Sequence, residues 1–427
     1  MITKTKNYFN HARTVKFNYV TILLIISYPL KLITNFCFSK IYCQFKVASK
    51  LLFIAILLEI GASSCKKDEI IINTSKKENV KEILLAEVKT QNLNSLSFCV
   101  VKKDSLLWTD ALGYSDIKNN KLATPETRYL IASISKLITA VSVFKLIEEG
   151  KINLDEDVNT YLPFKVKNPH FPNNKITVKM LLNHSSSVSD SYANNFNFYS
   201  WNEDSPIPLD IFIRDFFEES TQFCSTKNFY NYTPGSLGNY SNIGYALLGY
   251  IVEVVSKQPF DLYSKNNIIL PLGMTKTEWR LKNTPLDELA IPYSLTINTN
   301  KPHFTFPDYP NGGLRTTVID LSKILRMLIM KGQYNGVQIL NSNTVELMEK
   351  HTITFSVGPE KLELGLGIYS TDIKGKSLLG HGGNEQGTST GMHYDPVTQV
   401  GVIVFTNTTA ANLNQSIYSL YKFGTQQ

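Results

Sequence analysis

The chain has 427 residues, 43% of them apolar and 11% aromatic, which is enough for a large buried core and too hydrophobic for a chain whose main state is disorder. Its formal charge of +7 is concentrated at one end: residues 1–64 hold eight Lys or Arg against one acid, and the rest of the chain is neutral. A neutral globular part carries no electrostatic footprint for nucleic acid.

Residues 1–64 read as a leader. "KLLFIAILLEIGASSC" has a basic residue, then an apolar run, then small residues before Cys65, the plan of a secretory signal. The pattern resembles a bacterial lipoprotein signal, although Ala62 stands where Leu is usual and Glu59 interrupts the apolar run. It predicts lipidation of Cys65 and a chain held at the membrane of a bacterial cell envelope, periplasmic or surface-exposed. A plain cleaved signal or an uncleaved anchor is the alternative. An earlier apolar run over 19–30 is short for a membrane span, and translation is expected to start nearer the signal. Residues 65–79 form a polar tether.

Ser75 and Glu78 are spaced as a capping box, which predicts a helix through "KENVKEILLAEVKT". Two β-rich runs split by "KKDS" in "LSFCVVKKDSLLWTDALGYSD" predict a hairpin. From residue 130 the apolar period becomes helical, with Leu137, Val141 and Phe144 on one stripe and a stop at Gly150. Residues 185–235 read as irregular, a length usual for a functional loop. Helical periods return in "YSNIGYALLGYIVEVVSKQ", with Leu247, Leu248, Ile251 and Val255 facing inward, and in "LSKILRMLIMKG". The C-terminal part predicts a strand, a turn at "DPVT", a second strand and a last helix in "ANLNQSIYSLYKF". Strands, a run of helices, then strands again imply an α/β (α+β) domain over 80–427. Its antiparallel sheet is flanked by helices, with an inserted all-helical subdomain at roughly 150–300.

Five cysteines are scattered: Cys37 and Cys43 in the leader, Cys65, then Cys99 and Cys224, the last two read as buried thiols, with a bridge between them as the less favoured alternative. No metal motif is present in the sequence, since H-E-x-x-H is absent and the seven histidines lack ligand spacing. No phosphate-binding loop appears, and the site chemistry calls for no cofactor.

Ser133 and Lys136 stand three apart inside the apolar run "LIASISKLITA". On a helix, residues i and i+3 are neighbours at roughly 5–6 Å between Cβ atoms. A lysine in apolar surroundings has its charged form disfavoured, so its amine can take the serine proton. The developing anion would lie at a helix N-terminus. The plain alternative is a capping serine and a snorkelling lysine. The spacing alone is weak, with roughly three matches expected by chance in this composition. Ser63 with Lys66 and Ser64 with Lys67 also fit it.

The wider context is more specific. "YLIASISKLITAVSVFKLIEEGKINLDEDV", "TPGSLGNYSNIGYALLGYIVEVV" and "LLGHGGNEQGTSTGMHYDP", with "MLLNHSSS" and "PNGGLRTTVIDLSKIL", stand in the order found in one family. Together they resemble the serine β-lactamase and D-Ala-D-Ala carboxypeptidase superfamily, in its class C-like branch. The resemblance implies a β-lactamase/transpeptidase-like fold and an acyl-enzyme on Ser133, with Lys136 and the Tyr240 phenol as proton shuttle. It implies that Asn242, of Tyr240-Ser241-Asn242, holds the substrate amide. His381, in the His381-Gly382-Gly383 run, would assist the proton network or orient substrate, unless it is a strand histidine with a structural hydrogen bond. Gly383 would belong to the same substrate strand, and the backbone N–H groups of Ser133 and Asn384 would form the oxyanion hole. His184 reads as structural. Ser187 stands where this family commonly has glycine.

Competing matches are set aside by context. Tyr-x-Asn also occurs at Tyr8, Tyr192 and Tyr309, but only Tyr240 precedes a well-formed apolar helix. "GTSTG" over 387–391 matches a nucleophile elbow, yet Ser389 leads into a predicted strand and no histidine follows His393. The reading is therefore an envelope serine hydrolase acting on a D-amino-acid peptide, a β-lactam or a small ester. Having His381 in place of the Lys typical of class C β-lactamases tilts it toward a peptidase or esterase. The alternative is a non-catalytic lipoprotein that binds penicillin or peptidoglycan peptides.

Overall fold

In the computed structural model the described residues are 76–191, 193, 196–294, 300–357 and 360–427. Cys65, Ser75, Tyr192, the leader and residues 65–75 of the tether lie outside them, whereas 76–79, read as tether, are already helical. The expected first helix, α1, runs over 76–90. The hairpin follows as β1 (Ser95–Lys102) and β2 (Ser105–Asp116), with Lys102 opposite Ser105 across a two-residue turn. Lys103 takes a left-handed φ of 54° in that turn, which is what a tight hairpin requires.

One sheet organises the domain. After β3 (Lys121–Leu122), its other strands are β4 (Ile353–Val357), β5 (Glu360–Leu364), β6 (Tyr369–Ile373), β7 (Lys376–Glu385), β8 (Thr388–Asp395) and β9 (Val400–Thr406). The order is β4-β5-β6-β7-β8-β9-β1-β2-β3, and every pairing is antiparallel. Side chains alternate across a strand. Phe98 and Val100 of β1, with Val400, Val402 and Val404 of β9, therefore pack on one face with Leu84 of α1 and with Ile417 and Leu420 of helix α9 (Asn414–Thr425). Cys99, Val101, Ile403 and Phe405 point into the larger core on the other face. Because both faces are covered, all seven residues of β9 are buried. Burying a Val, Leu, Ile or Phe side chain is worth about 1.5–3 kcal/mol.

The larger core is built around α2 (Ser135–Glu148), in which every residue from Ser135 to Phe144 is buried. The single stripe expected of this helix is in fact buried nearly all round. Its polar groups are satisfied locally: Ser142 Oγ donates to Ile138 O at 2.8 Å and Thr139 Oγ1 to Pro310 O at 2.7 Å. Between 150 and 300 the chain forms α3 (Val178–Leu182), α4 (Leu209–Phe217), α5 (Asn242–Ser256) and α6 (Phe260–Ser264), joined by irregular stretches. Helix α4 corrects the reading of 185–235 as wholly irregular. Leu209, Phe212, Ile213, Phe216 and Phe217 are its buried residues, an i, i+3, i+4, i+7, i+8 pattern that holds nine residues helical by packing rather than propensity. Helices α7 (Val318–Ile329) and α8 (Ser342–Glu349) complete the described set.

The cysteines need one further correction. Both Cys99 and Cys224 are free thiols; Cys99 is buried, but Cys224 is partly exposed because it lies in the turn after α4 rather than in the core.

Candidate active site

Ser133 lies in a 3-10 turn, Ala132–Ile134, that runs directly into α2. The residue before it, Ala132, has φ of 48°, a left-handed conformation that costs a non-glycine residue about 1–3 kcal/mol. The turn is clamped against a distant loop. Ile131 N–H donates to Leu314 O at 2.9 Å, and Leu314 N–H donates to Ser135 Oγ at 3.1 Å. Ser133 itself remains partly exposed.

Lys136 is fully buried, at 0% exposure. Its Nζ lies 3.1 Å from Ser133 Oγ, 2.7 Å from Asn242 Oδ1 and 2.8 Å from Asn311 O. Loss of hydration lowers its pKa to about 7, against an opposing pull from Asp190, Asp308 and Glu385. A neutral amine has two N–H donors and one lone pair. In that form the two carbonyl oxygens accept both donors and the lone pair is left for the Ser133 hydroxyl; in the protonated form Nζ donates to Ser133 Oγ as well.

Tyr240 lies across from this pair. Lys136 Nζ is 4.8 Å from its ring centre, and its phenol faces the Ser133 side chain. Burial, reinforced by Tyr369, pushes the phenol well above its ordinary pKa. It is therefore a protonated donor at neutral pH. His184 supports it from behind, with ring centres 4.4 Å apart. His184 Nδ1 accepts the Ser241 N–H at 3.2 Å, and burial, then Lys136 and His381, holds its pKa well below the usual value. It is a neutral imidazole with a structural hydrogen bond.

Asn242 is the first residue of α5, after the N-cap Ser241, whose Oγ accepts from Gly244 N–H at 2.9 Å. Its Oδ1 is occupied by Lys136, which leaves its NH₂ as the donor toward the cavity it lines. Asp190 seats this helix end: its carboxylate accepts Asn242 N–H at 2.7 Å, Ile243 N–H at 3.1 Å and Ser241 Oγ at 2.9 Å. A carboxylate on the exposed N–H groups of a helix N-terminus is favoured by both hydrogen bonding and the helix dipole.

Strand β7 closes the other side. A Cβ on Gly383 would lie 2.4 Å from Ile131 O, 2.4 Å from Thr390 Oγ1 and 3.1 Å from Ser133 N, so only glycine allows the strand this close to the nucleophile turn. Asn384 is thereby brought beside Ser133, where both line the same cavity. His381 is buried beneath the site, its ring 4.5 Å from Tyr369 and 6.4 Å from Tyr240. Its Nδ1 donates to Gly382 O at 2.6 Å, and burial lowers its pKa to about 3, so it is neutral.

The structure thus brings Ser133, Lys136, Tyr240, Asn242, His381, Gly383 and Asn384 together. Ser389 is buried in β8 behind Asn384, 3.3 Å from its Oδ1, and donates to Thr408 O at 2.9 Å, with no base placed to activate it among the described residues. Ser187 takes φ of 66°, the conformation glycine would supply, and its Oγ accepts from Asn168 Nδ2 at 2.9 Å. Sequence reasoning missed Asp190, Asp308 and Asn311. Tyr309-x-Asn311, set aside as a competing match, does reach Lys136, through a backbone carbonyl that no motif records. Asp308 holds the Asn311 amide at 2.6 Å, and burial raises its pKa to about 6.

A cavity of 390 Å³ opens over Ser133. Its floor is Ser133, Tyr240, Asn242 and Asn384, and its wall includes Phe196, Phe198, Tyr199, Phe212 and Phe306. Among the described residues no cluster of His, Cys, Asp or Glu is placed to hold a metal ion, and no helix is long and apolar enough to cross a membrane.

Residues 80–417 match the family model described as Beta-lactamase. Protein flp of Staphylococcus aureus (strain MRSA252) is 28% identical over 253 residues, 58% of this chain and 48% of that one. The chain thus spans about half the length of the curated relatives it matches. Among solved structures, the octameric penicillin-binding protein homologue from Pyrococcus abyssi is 26% identical with a TM-score of 0.67, covering 80% of this chain and 76% of that one. D-amino acid amidase from Ochrobactrum anthropi SV3, complexed with L-phenylalanine, is 21% identical with a TM-score of 0.68, covering 82% and 98%.

Proposed function

The chain belongs to the Beta-lactamase family, and from that membership we propose that it hydrolyses an amide or ester carbonyl through an acyl-enzyme on Ser133. The observation that carries this is the Lys136 amine, whose two N–H groups are taken by Asn242 Oδ1 and Asn311 O while Ser133 Oγ stands 3.1 Å away. Lys136 accepts the hydroxyl proton as Oγ attacks the carbonyl carbon. The carbonyl oxygen becomes an oxyanion held by the backbone N–H groups of Ser133 and Asn384. As the C–N or C–O bond breaks, the proton returns through the Tyr240 phenol to the leaving group. Water then attacks the Ser133 ester by the same relay and frees the enzyme. Asn242 donates to the substrate amide, and neutral His381 fixes the strand and the ring of Tyr369 rather than carrying charge. D-amino-acid peptides, β-lactams and small esters all present a carbonyl for this site.

The test is the intact mass of the purified protein after brief exposure to p-nitrophenyl acetate and, separately, benzylpenicillin, with Ser133→Ala alongside. An adduct confined to the natural protein is expected with at least one of them. No adduct with either, or equal adducts on Ser133→Ala, would defeat the acyl-enzyme. Lipid attachment at Cys65, with the envelope location it implies, is part of the same reading. It is checked by the mass of the mature N-terminal peptide, and an unmodified Cys65 would exclude it.

A further inference from the structure

The acids around the nucleophile say something about the charge of the substrate, given the acyl-enzyme reading above. Three carboxylates, Asp190, Asp308 and Glu385, line the cavity, and among the described residues no lysine or arginine does. Two of the three are occupied in structural roles. Asp190 is saturated by three donors from the start of α5. Asp308 holds the Asn311 side chain at 2.6 Å.

Glu385 differs. Its Oε1 accepts the Tyr199 phenol at 2.9 Å and the Gln386 N–H at 2.8 Å, whereas its Oε2 has no partner and its carboxylate no ion pair among the described residues. The side chain is partly exposed and follows Asn384 on the strand that flanks Ser133. Tyr199, which fixes it in place, belongs to the aromatic wall, with its ring 5.1 Å from Phe304 and 6.1 Å from Phe306. A carboxylate with a free oxygen and an aromatic surface therefore adjoin one another in the cavity that opens over Ser133.

An anionic ligand would meet these three carboxylates with little compensation. The one amine near the floor, Lys136, is engaged by Ser133, Asn242 and Asn311. The strand position that might have offered a cation is His381, buried and turned onto the Gly382 carbonyl. Desolvating a carboxylate substrate against like charges is costly, whereas an ammonium gains a charge-assisted hydrogen bond.

We infer that this site selects cationic substrates: an ammonium close to the scissile carbonyl pairs with Glu385, and an aromatic group beside it packs on the wall of Phe198, Tyr199 and Phe306. The substrate class is an amide or ester of an aromatic amino acid whose α-amino group is free. Compounds that carry a carboxylate there, penicillins included, are disfavoured. Glu385 is the specificity-determining residue, and Tyr199 is its positioning residue.

Two non-reactive probes of equal spacer length and opposite charge, 2-phenylethylammonium and 3-phenylpropanoate, test this by titration calorimetry on the purified full chain at low salt. The ammonium is expected to bind at least about tenfold more tightly than the carboxylate. In Glu385→Gln, which keeps an acceptor for Tyr199, that gap should shrink to within about threefold. A carboxylate that binds as well as the ammonium, a gap that persists in Glu385→Gln, or binding of neither probe would overturn the inference. Acylation of Ser133 by p-nitrophenyl acetate on the same preparation tests the reaction class separately. Loss of acylation with the charge preference intact would sink the acyl-enzyme and leave the ligand assignment, and the converse would sink only the assignment.

Discussion

The floor and the wall of the cavity are built by different means. Ser133, Lys136, Asn242 and Gly383 sit on regular elements or their first turns, and each is fixed by close contacts with a separate part of the chain. The wall residues Phe196, Phe198, Tyr199 and Phe306 sit on irregular segments and hold one another through rings, with Phe198 5.0 Å from Phe212 and Phe196 5.0 Å from Phe223. Geometry needed to within a fraction of an ångström is placed on rigid elements. The aromatic surface lies largely on loops, where it can change without moving the nucleophile, whereas Glu385 ends β7.

The sharpest way to break the floor is Gly383→Ala. Its Cβ would fall 2.4 Å from Ile131 O, so β7 or the nucleophile turn must shift. We expect kcat/KM for ester hydrolysis to fall by about 100-fold or more, with the circular dichroism spectrum unchanged. Retention of most activity would show that the strand is not held against the turn.

The electrostatic link between floor and loop is tested by pH. With the neutral form of Lys136 as the base, as proposed, acylation should rise with pH and be half-maximal near 7. Asp190 raises that value, so Asp190→Asn should move the limb to lower pH. The same change weakens the seat of α5 and should cost about 1 kcal/mol of stability. A limb that stays in place would separate Asp190 from the amine. His381, at about 3, should contribute no limb between pH 5 and 8.

The wall should give the smallest effect. Phe306→Ala is expected to raise KM for aryl esters roughly three- to tenfold, with the acetyl ester affected less. An equal loss on both substrates would place Phe306 with the floor instead.

What could be read in advance follows the same division. The sheet, the central helix and the hairpin were legible because apolar period and turn residues are local signals. Helix α4 was passed over although its apolar spacing is regular, because the surrounding Asn-, Ser- and aromatic-rich stretch hides a nine-residue run. Asp190 and Asn311 carried no local signal at all. A carboxylate that caps a helix starting at residue 242, and a backbone carbonyl that holds an amine, look like any loop residue until the chain has folded. Exposure of Cys224 was misread for a related reason, since a thiol among aromatics resembles a core residue until the turn is placed.

The sequence by itself determined that Ser133 meets Lys136, because a single helical turn brings i and i+3 together. Tertiary structure alone decided what the lysine can do. Its two carbonyl acceptors come from residues 106 and 175 positions away; they aim the amine, while its complete burial removes the hydration that would hold its charge, lowers its pKa to about 7 and makes a lone pair available to the serine.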